Sequence, residues 1–547
     1  MRPFSRTIFI LIMVTGTCGW LHAQSPARAV KKSSVTGKVT MKGKGISGLT
    51  VALRVSDFSV LSLDTSYVGV TDDEGVFRIN EVTPGTYQLM SLAPAFVSVG
   101  EAARGKTLVI GEGETVEGAD LTLVRGGVIT GKVTDADGHP VIEQRVNLLP
   151  ADRPTDPRIR TPALANAITD DRGIYRMYGL AAGRYKVSVG QSLSSFMMNY
   201  SGRPIYKETF YPDTTDQAKA TIVEVTEGTE SSNVDIAAGR ASQTFTITGR
   251  VINGENSEPV GGVRFGLRVM TNGQPNVVMN TSAVSDTRGQ FRAENLTPGK
   301  YALFIMPQLN NPASGDPVTF EIIDQDLNDL VVKTSKGASI GGIIVLENSE
   351  DKTAYSNLLK LRLQGYVQSA DQIGNMGQST PINGDGSFIL TGLQPGSVSF
   401  SFGSFSDPRL LRNFHLKRTE RDGVIQPRGV EVKNGDQITG IRLVVAYGTS
   451  TLRGTVTTVN GTVPSGARIS LRLTMSGEVN SSFRPPEIDS RGHFVLEGLP
   501  AGQYELTAFV FLPGSRAEAP RTTRQVSISE GMITDVQLTI DLGQTPQ

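Results

Sequence analysis

Few residues in this chain are of types that carry chemistry, and their spacing argues against catalysis. Of the four histidines, His139, His415 and His493 stand far apart, and none is followed three places later by Glu, as a zinc-binding His-x-x-Glu pair requires. The letter patterns Gly-x-Ser-x-Gly (Gly337 to Gly341) and Gly-x-x-x-x-Gly-Lys (Gly100 to Lys106 and Gly126 to Lys132) occur, but no helical periodicity follows any of them, as a nucleophile elbow or a phosphate loop requires. The only cysteine, Cys18, lies with the only tryptophan, Trp20, in a leader-like segment. No catalytic residues, cofactor or metal are therefore expected. Aspartates are the remaining polar group with a pattern: Asp72, Asp73, Asp170, Asp171, Asp286, Asp385 and Asp489 all precede glycines. Calcium would want six to eight oxygens, whereas Arg172, Arg288 and Arg491 sit among these acids. Turn capping needs one side chain and is the reading adopted.

The elements that must position these acids recur five times. The phrases are Thr71-Asp72-Asp73-Glu74-Gly75-Val76-Phe77, Thr169-Asp170-Asp171-Arg172-Gly173-Ile174-Tyr175, Ser285-Asp286-Thr287-Arg288-Gly289-Gln290-Phe291, Ile382-Asn383-Gly384-Asp385-Gly386-Ser387-Phe388 and Ile488-Asp489-Ser490-Arg491-Gly492-His493-Phe494. Ten residues after each of these glycines comes another: Gly85, Gly183, Gly299, Gly396 and Gly502. Tyr87, Tyr185, Tyr301 and Tyr504 follow four of them, with Val398 in the fifth. An acid opening a turn and a glycine closing it read as a hairpin, and Thr83-Pro84-Gly85-Thr86 reads as a type II turn. The ten glycines are taken as turn residues. The tyrosines alternate with Leu89, Val187, Leu303 and Leu506 and so belong to cores.

Each copy opens on a glycine-marked strand, such as Val35-Thr36-Gly37-Lys38-Val39 or Leu452-Arg453-Gly454-Thr455-Val456. About seven short alternating strands per copy and no useful helical periodicity give an all-β class: five tandem antiparallel β-sandwiches. The modules are placed at residues 34–124, 127–240, 245–335, 337–447 and 450–541. Short linkers predict an elongated, end-to-end array. The length demands several cores, and the 38% hydrophobic content supplies them. Lys plus Arg and Asp plus Glu both number 53, which removes the electrostatic case for nucleic acid.

Residues 1–23 read as a signal peptide, with Arg2 and Arg6 before the apolar run Ile8 to Val14 and cleavage after Ala23. The expected location is secreted, periplasmic or cell-surface, with no membrane span in the mature chain.

The paired phrases Thr-Asp-x-x-Gly-x-Phe/Tyr and Leu-x-Pro-Gly-x-Tyr resemble those of carboxypeptidase regulatory-like domains. That resemblance implies a transthyretin-like, Ig-like sandwich, related to Cna B-type modules and grouped with carbohydrate-binding-like folds. It implies a spacer or binding role. Cna B-type modules often carry a Lys to Asn crosslink promoted by a glutamate after the Pro-Gly-x-Tyr phrase; here Ser91, Val189, Ile305 and Ala508 occupy that place, so no crosslink is expected.

Two insertions differ between copies. Module two runs through Phe196, Met197, Met198, Tyr200, Tyr206, Phe210 and Tyr211, and module four through Arg409, Arg412, His415, Lys417, Arg418 and Arg421. Phe196, Tyr200, Tyr206, Phe210 and Tyr211 are the candidate ligand-binding residues. The alternative is that the aromatic insertion covers its own module and the basic one is a solvated loop. The function expected is an exported, non-catalytic structural or adhesive scaffold presenting loops to an extracytoplasmic protein or polysaccharide; the alternative is an array of carbohydrate-binding modules.

Overall fold

The computed structural model describes residues 31–55, 66–99, 105–151, 166–190, 204–271, 274–306, 313–347, 352–369, 377–404, 407–464, 467–475, 485–511 and 520–543. The expected leader, with Cys18 and Trp20, lies outside the described residues, as do Phe196 to Tyr200. The chain is all-β, with one short α-helix, Lys352–Leu358, among the described residues. No described helix is long and apolar enough to cross a membrane.

Each module opens on a strand that lies inside its first sheet: Ser33–Met41, Gly127–Thr134, Phe245–Asn253, Ala338–Glu347 and Ser450–Val459. On one side it pairs antiparallel with the strand after the acidic turn: Val76–Val82, Ile174–Leu180, Gln290–Leu296, Ser387–Leu393 or His493–Leu499. On the other it pairs parallel with a closing strand, as Val251 does opposite Val332 and Val456 opposite Leu538. The sandwiches are antiparallel, as expected, apart from this pairing. One parallel pairing per module arises because the closing strand returns from the opposite sheet, and a crossover connection can bring it back in the opening strand's direction.

The glycine in each opening strand is required by that pairing. A Cβ on Gly37, Gly131, Gly249, Gly342 or Gly454 would lie 1.9 to 2.4 Å from the carbonyl oxygen of Ala119, Val234, Leu330, Ile441 or Val536. No real Cβ contact is that short, so the closing strand approaches only over glycine.

The repeated phrase is not a hairpin. Its first strand, Val76–Val82, joins the opening strand, whereas its second, Gly85–Ser91, pairs with Thr50–Val55 in the other sheet. The same split holds in the other four copies. The Pro-Gly corner is therefore a sheet-to-sheet crossover, and a type II turn is not what it forms. Gly85, Gly299 and Gly396 take φ of 150°, 157° and 148°, a glycine region distinct from the φ near +80° of a type II turn. Gly183 and Gly502 lie outside the positive-φ region altogether.

Alternation along these strands turns one face inward, giving five separate cores. They centre on Val35, Phe77 and Tyr87; Ile129, Tyr175 and Val187; Ile247, Phe291 and Tyr301; Ile340, Phe388 and Val398; and Leu452, Phe494 and Tyr504.

In every module the pairing of the opening strand slips once, between Ser33 and Val35, Gly127 and Ile129, Phe245 and Ile247, Ala338 and Ile340, and Ser450 and Leu452. The partner strand supplies a residue at positive φ there: Glu81, Gly179, Asn295, Gly392 and Gly498. This is a β-bulge conserved across the copies. Where it is glycine, a linker glycine lies against it. A Cβ on Gly126 would come within 2.4 Å of Gly179, one on Gly337 within 2.7 Å of Gly392, and one on Gly448 within 2.2 Å of Gly498. The array is not extended end to end, because the acidic turn of module five touches module one.

Candidate functional site

The acidic turns are built from one side chain each. Asp72 Oδ1 accepts from the backbone N–H groups of Glu74 and Val76 at 3.1 and 2.8 Å. Asp170, Asp286 and Asp489 do the same with the residues two and four places on, at 2.7 to 3.0 Å. In module four Asn383 holds the first position, and Asp385 accepts from Ser387 instead. The closing glycines Gly75, Gly173, Gly289, Gly386 and Gly492 lie at φ of 74° to 82°. The hydrogen bond from Ile174 N–H, followed by those from Arg172, holds the Asp170 carboxyl below its ordinary range. One oxygen of each capping acid is thus committed to the backbone.

The tyrosines after the Pro-Gly corner also serve the fold. Their hydroxyls donate to the carbonyl four residues back: Tyr87 to Thr83, Tyr185 to Ala181, Tyr301 to Thr297 and Tyr504 to Pro500, at 2.7 to 2.8 Å. This locks each corner much as the tyrosine corner of immunoglobulin-type sandwiches does. Sequence alternation identifies the rings as core but gives no sign of the hydrogen bond.

Of the five candidate ligand-binding residues, Phe196 and Tyr200 lie outside the described residues. Tyr206 and Phe210 are buried, and Tyr211 is half-buried against the module-two core. Phe210 also pairs with Ser188 at the sheet edge. Tyr206 and Phe210 therefore do not present their rings to solvent in this structure, and Tyr206 is part of the module-two core. Burial next to them raises the carboxyl of Glu208. The Ser188 hydroxyl donates to it at 3.3 Å.

The basic insertion of module four is a short 3-10 turn, Pro408–Asn413, leading into a strand rather than a solvated loop. Phe414–Arg421 pairs antiparallel with Gln437–Tyr447, and its charges are matched. Glu347 accepts from Lys417 at 2.6 Å and from Arg418 at 3.0 Å, and Glu420 from Arg418 at 2.7 Å and Arg442 at 3.3 Å. The hydrogen bond from Lys417, then that from Arg418, holds the Glu347 carboxyl below its ordinary range. The insertion also builds the joint to module five. Arg412 pairs with Glu497 at 2.9 Å, and the His415 ring nitrogen lies 2.8 Å from Gly498 O. Sequence reading missed Glu347 because it stands some seventy residues before Lys417 and Arg418 along the chain.

A cleft of about 440 Å³ opens at the joint between modules three and four, among them Asn253, Glu255, Ser335, Lys336, Thr391 and Gln437. Its lining mixes polar and apolar surface and carries no aromatic side chain. Among the described residues the one grouping able to approach a metal is Asp135, Asp137 and His139. Asp135 is occupied there in capping its own turn, accepting from the N–H groups of Asp137 and His139 at 2.9 Å.

No family model matches the chain, and no curated protein matches it. Among solved structures, a Streptococcal ancillary pilin is 13% identical, over 56% of this chain and 99% of that one, with a TM-score of 0.24. The Bacillus anthracis TIE protein is 12% identical over 90% of this chain and 75% of its own, with a TM-score of 0.15. Two B repeat units of the collagen binding protein of Staphylococcus aureus are 10% identical over 77% of this chain and 100% of theirs, again at 0.15. At these identities and scores the likeness carries no argument about what the chain does.

Proposed function

We propose that the chain is an exported, non-catalytic scaffold of five modules that holds surface loops in fixed relation to an extracytoplasmic protein or polysaccharide. The observation that carries this reading is the use made of the recurring polar and aromatic residues. Capping acids bond their own turns, tyrosine hydroxyls lock their own corners, and Lys417 and Arg418 of the basic insertion pair with Glu347 and Glu420. Side chains that could have formed a reactive centre are engaged in holding modules and joints. A protein selected for a rigid arrangement needs that, whereas an enzyme needs unsatisfied groups converging on a pocket. The resemblance to carboxypeptidase regulatory-like domains, which accompany other activities as spacers or binding modules, agrees with this reading.

The test is a pull-down with the exported chain against its own cell envelope, run beside a glycan array. Capture of a defined envelope component is expected. If nothing is retained while the array shows glycan binding, the scaffold reading gives way to a carbohydrate-binding array. Sequencing the exported protein's N-terminus checks the leader, with Gln24 expected first.

A further inference from the structure

The acidic turn occurs five times with the same backbone hydrogen bonds, and this makes its one docked copy conspicuous by comparison. In modules two, three and five it reads Asp-x-Arg-Gly, with the arginine folded back on the acid: Arg172 on Asp170 at 3.3 Å, Arg288 on Asp286 at 3.8 Å and Arg491 on Asp489 at 2.8 Å. The first two pairs are open to solvent, their side chains 39% to 77% exposed. Asp489 is 0% exposed and Arg491 32%. The turn itself does not bury them; module one does.

Lys106–Ile110 is the edge strand of module one's second sheet. An edge leaves alternate N–H and C=O groups without a strand partner. Module five supplies the partners at one residue. Asp489 Oδ2 accepts from Val109 N–H at 3.2 Å, and Arg491 donates to Val109 O at 2.7 Å. Arg491 also pairs with Glu114 at 2.9 Å, and Gln88 donates to Glu487 at 3.1 Å. A preformed acid and guanidinium pair therefore reads both backbone groups of Val109 as a neighbouring strand would.

The joints decide what this contact can do. Three of the four carry the glycine pair of linker and bulge described above. The second does not: its linker positions are Ala241, Ser242, Gln243 and Thr244, and Asn295 occupies the bulge of module three. We propose that modules one and two form one arm and modules three to five another, joined at residues 241–244, and that the Asp489 and Arg491 turn is a docking element for the edge strand of module one in the same chain, closing the arms into a ring. Such a small contact between separate proteins is weak, but a tether raises the effective concentration to the ~mM range and makes a modest affinity sufficient. Opening frees the Lys106–Ile110 edge.

The test uses the whole chain with Cys18→Ser and a fluorescent donor and acceptor on Glu117→Cys and Glu530→Cys, both exposed positions in modules one and five. High energy transfer within a single chain is expected. Arg491→Glu places like charges beside Asp489 and Glu114, and Glu114→Arg sets a cation against Arg491. Each should lower the closed population by about ten-fold or more, with circular dichroism unchanged, and the two together should restore part of the transfer. Transfer unaffected by either reversal, or transfer seen only on mixing singly labelled chains, would overturn the proposal. Because the readout involves no partner, its failure is separable from failure of the scaffold reading.

Discussion

Replacing Tyr504 by phenylalanine removes one hydroxyl from a side chain that is 0% exposed and donates to Pro500 O at 2.7 Å. The ring still fills its site, so the packing contribution is retained and the hydrogen bond alone is lost. A buried carbonyl left without its donor costs about 1–3 kcal/mol. Tyr185 makes the same bond to Ala181 O at 2.8 Å, but from a half-buried ring at a site open to water. Water can replace the donor there, and Tyr185→Phe should cost under about 1 kcal/mol. The assay is hydrogen exchange on the full chain, read module by module. If protection reports module unfolding, it should fall about 5- to 150-fold in module five and less than about 5-fold in module two. Equal losses in the two modules, or no loss for Tyr504→Phe, would refute the claim that burial sets the value of the corner.

The two glycines of each repeat should differ. Gly173→Ala forces positive φ on a side chain and drives its Cβ to 2.5 Å from Val133 O, costing about 1–3 kcal/mol or more, whereas Gly183→Ala meets only the Tyr185 ring at 3.3 to 3.4 Å and should cost under about 1 kcal/mol, by thermal or denaturant unfolding. Gly498→Val would place its Cβ 2.3 Å from Arg412 O, so modules four and five should lose their fixed orientation, visible as a broadened distance distribution between spin labels on the two modules. The Glu347 carboxyl has a lowered folded pKa, so its stabilising contribution is present above the unfolded value of about 4.3 and is lost as pH falls through the folded one; acid exchange profiles of module four should show this loss, and Glu347→Gln should abolish that pH dependence.

Much of the fold was legible because it is written in short-range chemistry. Asp170 followed two and four places on by the N–H groups it caps, Gly173 at the positive φ that closes the turn, and Tyr301 alternating with Leu303 are patterns contained within a few residues. Such patterns survive whatever the rest of the chain does, so strands, turns and core faces could be read directly. The opening-strand glycines were visible as marks, yet their cause, a parallel strand passing within reach of their absent Cβ, was not.

What the tertiary structure alone decided is which distant partner each local element meets. The phrase around Gly75 and Gly85 has the residues of a hairpin, but its two strands enter different sheets, one pairing with the opening strand and the other with Thr50–Val55. Tyr206 has the composition of a binding-loop residue, and only the position of the module-two core beneath it turns the ring inward. Lys417 and Arg418 read as free charges until Glu347, some seventy residues earlier, is brought beside them. The turn at Asp489 is the same in sequence chemistry as those at Asp170 and Asp286, and differs only in having the edge strand of module one against it. A sequence specifies the groups a residue offers; which of them are answered depends on where the chain's path carries their partners, and that is a property of the whole fold.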